Sequence, residues 1–185
     1  MNYEQFIVHR SLSISRPNDL PNRDPNPETR RISLESEKVT IQEMDAKDLE
    51  EVLAIESSDF LTPWSRNMFV EEMQNPLAYC FVMRREDGSK QPVIGFICFR
   101  NIAEESELLK IRVHPDYRQL GFGNKLMKFY IDFSRKSGIK TFYLEVYSSN
   151  RPAIHLYQLF SYESSGVRKR FYQGKFDALL MTKKA

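Results

Sequence analysis

Hydrophobic and polar residues follow two different periods along this chain, and each period predicts one kind of element. Alternating apolar residues, or a short apolar run between turn residues, are typical of strands. This pattern predicts strands in KVTIQEM (38–44), YCFVM (79–83), VIGFICF (93–99), ELLKIRV (107–113), TFYLEVY (141–147), SGVRKRFY (165–172) and FDALLMT (176–182). The segment EDGS, residues 86–89, predicts the turn between the second and third of them.

Apolar residues three and four apart predict helices between these strands. Two helices follow the first strand: one carries Leu49 and Val52 on one face with Asp45 as its N-cap, and the next runs from a Ser65 cap to about Gln74. Two more helices are predicted. One follows the glycines near residue 123, and the other has Asn150 as its N-cap and Pro152 in its first turn. The order β-α-α-β-β-β-α-β-α-β-β predicts a mixed α/β domain, with parallel pairing where helices intervene.

Residues 1–37 differ from the rest, because four prolines lie among polar residues in SRPNDLPNRDPNPETRR. Proline disfavours helices and central strands. We therefore interpret residues 1–37 as an extended arm or linker, and residues 38–185 as the folded domain.

Composition narrows the class of protein. A net charge of +2 and 41% hydrophobic residues suit an ordinary soluble domain and predict no direct nucleic-acid binding. Cys80 and Cys98 lie in apolar runs without metal or redox spacing, which favours reduced core thiols in a cytoplasmic protein. No run reaches membrane-spanning length, and the N-terminus lacks a secretory signal. Since His114 and His155 have no acidic or cysteine partners at ligand spacing, we expect no metal.

The stretch YRQLGFGNKLM, from Tyr117 to Met127, places Gly121 and Gly123 between a strand and a helix. Glycine costs roughly 1 kcal/mol inside a helix, so its presence here needs a reason. One reason is an anion cradle, because a helix N-terminus offers free N–H groups. The other is a turn that needs positive φ. The local spacing alone does not choose between them.

Several separated motifs resemble those of the GNAT (general N-acetyltransferase) superfamily. RQLGFG, residues 118–123, resembles its Arg/Gln-x-x-Gly-x-Gly/Ala motif. TPWS, YLEVYSSNRPAIHLYQLFSYE and RKRFY…DALLM resemble segments of the ribosomal-protein alanine N-acetyltransferases, in the same order. The resemblance extends from about Val39 to the C-terminus. It implies a mostly antiparallel twisted sheet with flanking helices and a splayed central parallel strand pair.

The resemblance also implies where acetyl-CoA binds. The loop amides would hold its pyrophosphate, a strand edge would hold the pantetheine, and an asparagine would add a hydrogen bond. The matching residues are Ile111, Arg112, Val113, Arg118, Gln119, Leu120, Gly121, Phe122, Gly123, Asn124 and Asn150. The chain departs from the family at Arg112, where a small residue is common, and at Ser161-Tyr162, where the family has Gly-Phe.

Two residues are candidates for proton transfer. Glu145 lies inside the apolar run FYLEVY, where a carboxylate is costly unless it is paired or solvated. It is either a general base or a solvent-facing glutamate of an edge strand. Tyr157 has apolar helical neighbours and is either a core tyrosine or the acid for the leaving thiolate. The resemblance favours the catalytic role for both.

The expected function is direct acetyl transfer from acetyl-CoA to a protein N-terminal amine, by resemblance a ribosomal-protein alanine. A small amine or a lysine is the alternative acceptor, and a non-catalytic acyl-CoA-binding regulator is the alternative class. The segment RKR, residues 168–170, is interpreted as an exposed strand face. The acidic residues 104–107 are interpreted as a solvated loop, or as an attraction for a basic peptide.

Overall fold

The computed structural model describes residues 39–57, 63–86 and 91–185. In chain order the elements are β1 Val39–Glu43, α1 Leu49–Ser57, α2 Arg66–Gln74, β2 Ala78–Arg85, β3 Val93–Ile102, β4 Glu105–Val113, a 3-10 turn Pro115–Tyr117, α3 Phe122–Lys136, β5 Thr141–Tyr147, α4 Arg151–Leu159, β6 Glu163–Tyr172 and β7 Phe176–Lys184. The predicted order is confirmed. The arm at 1–37 and most of the turn at 86–89 lie outside the described residues. Within those residues, no helix is both long and apolar enough to cross a membrane.

Local capping sets where the helices begin. The side chains of Ser65 and Asn150 each accept a backbone N–H at the start of their helix, as predicted. Asp45 also acts as a cap, because its Oδ1 accepts the Lys47 N–H at 2.9 Å and its own N–H donates to Asp48 Oδ2 at 3.0 Å. It caps the turn of residues 46–48, and the regular helix begins after that turn, at Leu49.

The strands form one sheet in the order β1-β2-β3-β4-β5-β7-β6. Every neighbouring pair is antiparallel except β4 and β5, which α3 connects. The buried residues form two clusters, one on each side of the sheet. One lies beneath α3 and α4, and the other beneath α1 and α2. The mixed, mostly antiparallel sheet with a central parallel pair is therefore confirmed.

The parallel pair is short. β4 pairs with β5 only from Glu105–Thr141 to Leu108–Leu144. Beyond that point β4 stays paired with β3 as far as Val113, and β5 stays paired with β7 as far as Tyr147. The two strands therefore separate, and we call the space between residues 109–113 and residues 145–147 the cleft.

A bulge decides which side chains of β4 face each helical layer. Phe99 pairs with Leu108 while Cys98 pairs with Lys110, so Leu109 is an extra residue on β4. After this bulge, Ile111 and Val113 pack against the core beneath α3 and α4. Lys110 and Arg112 face the opposite layer, where both pair with Glu56 of α1.

Candidate active site

The backbone of β4 along the cleft is the first part of the candidate site. The groups of residues 109–113 that do not bond to β3 face the cleft rather than another strand. Backbone N–H and C=O groups need partners, and an extended amide-containing ligand can supply them. The side chain of Arg112 points elsewhere, because its Nε lies 3.1 Å from Glu56 Oε2 beneath α1. Ile111, Arg112 and Val113 can thus serve a ligand through their backbone.

The glycine loop lies just beyond the end of β4. Gly121 has φ +79°, and a Cβ placed there would meet no atom within 4 Å. The first backbone hydrogen bond of α3 runs from Lys125 N–H to the Gly121 carbonyl at 3.1 Å. The N–H groups of Phe122, Gly123 and Asn124 therefore have no acceptor within the helix. Together with the helix dipole, this arrangement fits an anionic group such as a pyrophosphate.

The two glycines are required for different reasons. Gly121 adopts the left-handed conformation and borders open space, so both interpretations of its role agree with the structure. Gly123 lies in the first turn of α3, and its Cβ would lie 3.3 Å from Leu156 Cδ2. A side chain at residue 123 would therefore press against α4. Gly123 therefore has a packing reason, whereas Gly121 borders the open space that a ligand would need.

Other loop side chains hold the loop in place. Arg118 Nε donates to the Val113 carbonyl at 3.1 Å, which ties the loop to the end of β4. Gln119 has φ +61°, Leu120 packs against the core, and the Phe122 side chain is buried. Contact between these residues and a ligand would therefore involve mainly their backbone.

Glu145 lies on a central strand, between β4 and β7 in the sheet. Its side chain is 24% exposed, and its Oε1 lies 2.5 Å from Arg168 Nη1. The interpretation as an edge-strand glutamate facing solvent is therefore wrong. Because the carboxylate is paired and stands beside the cleft, its burial is compensated.

Tyr157 lies on α4 and is buried. Among the described residues its hydroxyl has no hydrogen-bond partner, although its ring packs near Tyr162. Burial raises the pKa of Tyr157 above its ordinary value, and the nearby Tyr172 raises it further. Burial and the charge of Glu145 together raise the pKa of Tyr172 to about 12. Tyr172 therefore interacts electrostatically with both Tyr157 and Glu145.

Asn150 connects β5 with the helix that carries Tyr157. Its Oδ1 accepts the Ala153 N–H at 3.2 Å, so the capping role is confirmed. At the other end of α4, Ser161 has φ +62° and the Tyr162 N–H donates to the Tyr157 carbonyl at 3.1 Å. This is the closure that a glycine ordinarily makes, so the departure from the family's Gly-Phe leaves the helix end unchanged in form.

Three features of the site were missed at the level of sequence. Arg168 is exposed, as predicted, but its ion pair with Glu145 was not foreseen. Glu107 lies on β4, as the strand prediction has it, but the effect of its surroundings was not foreseen: partial desolvation and the charge of Glu145 raise its pKa, against the opposing effect of Arg100. A Cβ at Gly95 would lie 2.7 Å from the Arg112 carbonyl, so this glycine lets β3 approach β4 closely. Of these features, the sequence signalled only the ion pair, because a carboxylate inside an apolar strand needs a partner.

Comparisons with known proteins place this arrangement in a family. The acetyltransferase (GNAT) family model matches residues 49–162. A putative ribosomal protein bS18-alanine N-acetyltransferase of Bacillus subtilis is 30% identical over 146 residues, covering 78% of this chain and 94% of the relative. The crystal structure of the Escherichia coli ribosomal-protein-S18-alanine N-acetyltransferase is 29% identical with a TM-score of 0.70, covering 80% of this chain and 94% of that one.

A more distant structure has the same fold. Arabidopsis thaliana NAA60, solved in complex with acetyl-CoA, is 20% identical with a TM-score of 0.70 and covers 80% of this chain and 98% of its own. The family match and the 30% identical relative span most of the described domain. The chain therefore belongs to the GNAT family and is an acetyl-CoA-dependent N-acetyltransferase.

Proposed function

We propose that this protein transfers the acetyl group of acetyl-CoA directly to the α-amine of a protein N-terminus, with a ribosomal-protein alanine as the acceptor. The observation that carries the proposal is the partly buried carboxylate of Glu145, paired with Arg168 beside the cleft, in a chain of the GNAT family. A carboxylate held beside a cleft can act as the general base that amide formation from a thioester needs.

The residues around the cleft fit acetyl-CoA. The N–H groups of residues 122–124 and the open space at Gly121 would accept the pyrophosphate. The backbone of residues 111–113 would bond to the pantetheine amides, and Asn150 has an amide N–H to offer. Bound acetyl-CoA supplies the thioester carbonyl that the amine attacks.

Glu145 would receive the proton of the acceptor amine, directly or through a water molecule. An α-amine with a pKa of about 8 costs roughly 1 kcal/mol to deprotonate at pH 7, whereas a lysine near 10.4 costs roughly 4.6 kcal/mol. A single carboxylate is therefore sufficient for an N-terminal amine. This difference favours the α-amine over the lysine alternative.

Tyr157 would act on the leaving sulfur. Because burial raises its pKa, the hydroxyl stays protonated at neutral pH and can donate a hydrogen bond. An ordinary thiol has a pKa of about 8.5, below that of this phenol. Tyr157 would therefore stabilise the developing thiolate mainly by hydrogen bonding, and complete proton transfer would follow from solvent.

Direct transfer agrees with the position of the cysteines. Cys80 and Cys98 are free and buried on paired strands. Burial raises the pKa of the Cys98 thiol, which disfavours the nucleophilic thiolate that a covalent intermediate would need. Free thiols also suit a reducing compartment, so we place the activity in the cytoplasm as part of this proposal.

The test is a panel of acceptors with labelled acetyl-CoA. It compares an alanine-initiated ribosomal-protein peptide, the same peptide with a blocked N-terminus and an internal lysine, and a polyamine. We expect acetylation of the free N-terminus alone. Preferential acetylation of the lysine or the polyamine would overturn the substrate assignment.

The same panel tests Glu145. Glu145→Gln keeps the shape of the side chain and should lower kcat by about 10²- to 10⁴-fold. Raising the pH from 6 to 10 should partly restore its rate, because more of the amine is then already neutral. A pH-independent defect would argue against a base role.

A further inference from the structure

We propose that Arg168 is a positioning residue that holds Glu145 in the orientation needed to accept the proton of the acceptor amine. This role rests on the function proposed above. Arg168 belongs to β6, which lies at the edge of the sheet, two strands away from the strand of Glu145.

The sheet register explains how the two side chains meet. Arg168 pairs with Ala178 on β7, and Ala178 pairs with Tyr147 on β5. Directly opposed residues share a face of the sheet, so Arg168 lies on the same face as Tyr147 and Glu145. Its side chain crosses β7, a lateral step of about 4.8 Å per strand, over the small side chain of Ala178. A larger residue at 178 would stand in the way.

A second residue of β6, Phe171, contacts the guanidinium group of Arg168. The Arg168 Cζ lies 4.1 Å from the centroid of the Phe171 ring, within cation–π range. One planar group therefore contacts an aromatic face and donates to a carboxylate at 2.5 Å. The side chain of Arg168 is 51% exposed and that of Glu145 is 24% exposed, so the more enclosed member of the pair is the proposed base.

The contact with Arg168 leaves Glu145 able to accept a proton. A carboxylate has two oxygens and about four acceptor positions, of which Arg168 occupies one on Oε1. Among the described residues no donor is bonded to Oε2, so this oxygen remains for the amine proton. A base oriented by a third group is the recurring solution in enzymes that activate a nucleophile. Here an arginine supplies the orientation.

The test is a double-mutant cycle of Arg168→Met and Glu145→Gln, measured with the N-terminal peptide and acetyl-CoA. Arg168→Met should lower kcat about 10- to 100-fold, the scale of a misplaced catalytic group, with peptide KM and acetyl-CoA affinity little changed. In the Glu145→Gln background it should have no further effect. Lys169→Met removes the same charge from the next exposed residue of β6 and should leave the rate unchanged.

Each contrary result has a separate meaning. If Glu145→Gln slows transfer and Arg168→Met does not, or raises kcat, the positioning role is wrong while the proposed base stands. An equal loss from Arg168→Met in both backgrounds would show that Arg168 acts on a substrate instead. If Glu145→Gln alone leaves the rate unchanged, the proposed base fails and the positioning role fails with it. Arg168 is half exposed, and circular dichroism would verify that all variants fold.

Discussion

Gly121 and Gly138 have nearly the same backbone conformation at opposite ends of α3, with φ +79° and +85°, and a Cβ at either would meet no atom within 4 Å. We predict that alanine at either position destabilises the protein by about 1 kcal/mol through the left-handed backbone. Only Gly121→Ala should also weaken acetyl-CoA binding, because only this Cβ enters the candidate pyrophosphate space. Thermal unfolding and calorimetric titration measure the two effects. Equal acetyl-CoA affinity in both variants would remove the anion cradle.

Two buried tyrosines differ in what their hydroxyls bond. The Tyr130 hydroxyl lies 2.9 Å from Ser106 Oγ, whereas the Tyr157 hydroxyl has no such partner among the described residues. Tyr157→Phe should therefore lower kcat by about 10²-fold with little loss of stability. Tyr130→Phe should do the reverse, costing about 1 kcal/mol of stability with a near-normal rate. Steady-state kinetics measure the effect on kcat, and urea unfolding measures the effect on stability. A normal rate in Tyr157→Phe would show that the Tyr157 hydroxyl does not donate to the thiolate.

The sequence indicated single residues better than contacts between them. Glu145 and Tyr157 were selected by family resemblance, and their catalytic roles stay predictions. The contact of Glu145 with Arg168 could not be predicted, since it depends on the register of β6 against β7. The contact between Gly123 and Leu156 could not be predicted either, because α4 supplies it.

Single elements followed the hydrophobic period closely. β5 begins and ends as predicted, at Thr141 and Tyr147, because its apolar run is bounded by turn residues on both sides. The start of α1 is less sharply defined, because the cap at Asp45 is followed by a turn at residues 46–48 before the regular helix begins at Leu49.

The end of α4 carries an avoidable strain, because Ser161 is held at φ +62°. A left-handed non-glycine residue costs roughly 1–2 kcal/mol, and the extra freedom of unfolded glycine offsets up to about 1 kcal/mol of that. Ser161→Gly should therefore raise stability by about 0.5–1 kcal/mol, or Tm by about 1–4 °C.

The matched control is Ser137→Gly at the end of α3. Ser137 has φ −88°, which any residue adopts, so glycine there relieves no strain. It adds unfolded-state freedom and removes the bond from Ser137 Oγ to the Phe133 carbonyl at 3.4 Å, so it should lower Tm. A Tm decrease in both variants would show that Ser161 is not strained.

For the whole molecule, the order of elements and the mixed sheet were predictable, whereas the length of the parallel pairing was not. The length of the parallel pairing depends on where β4 and β5 separate. That point depends on the twist of β4 beside β3 and of β5 beside β7. The family resemblance supplied the splay, and no periodicity in ELLKIRV or TFYLEVY indicates that pairing stops at Leu108 and Leu144.

Acetyl-CoA should bridge the two halves of the sheet at the cleft. At 100 times its Kd, it should stabilise the protein by about 2.7 kcal/mol, which corresponds to about 5–10 °C in Tm. Hydrogen exchange should slow at those amides of residues 109–113 and 145–147 that do not bond to β3 or β7. Protection confined to β1 and β2 would contradict binding in the cleft.

The extra residue at Leu109 has a genetic consequence. Because side chains alternate along a strand, loss of this one codon would turn every following residue of β4 to the other face. Arg112 would enter the core beneath α3, and Ile111 and Val113 would meet the carboxylate of Glu56. Substitutions at Leu109 should be common among viable alleles of this gene, whereas in-frame deletions there should be lost.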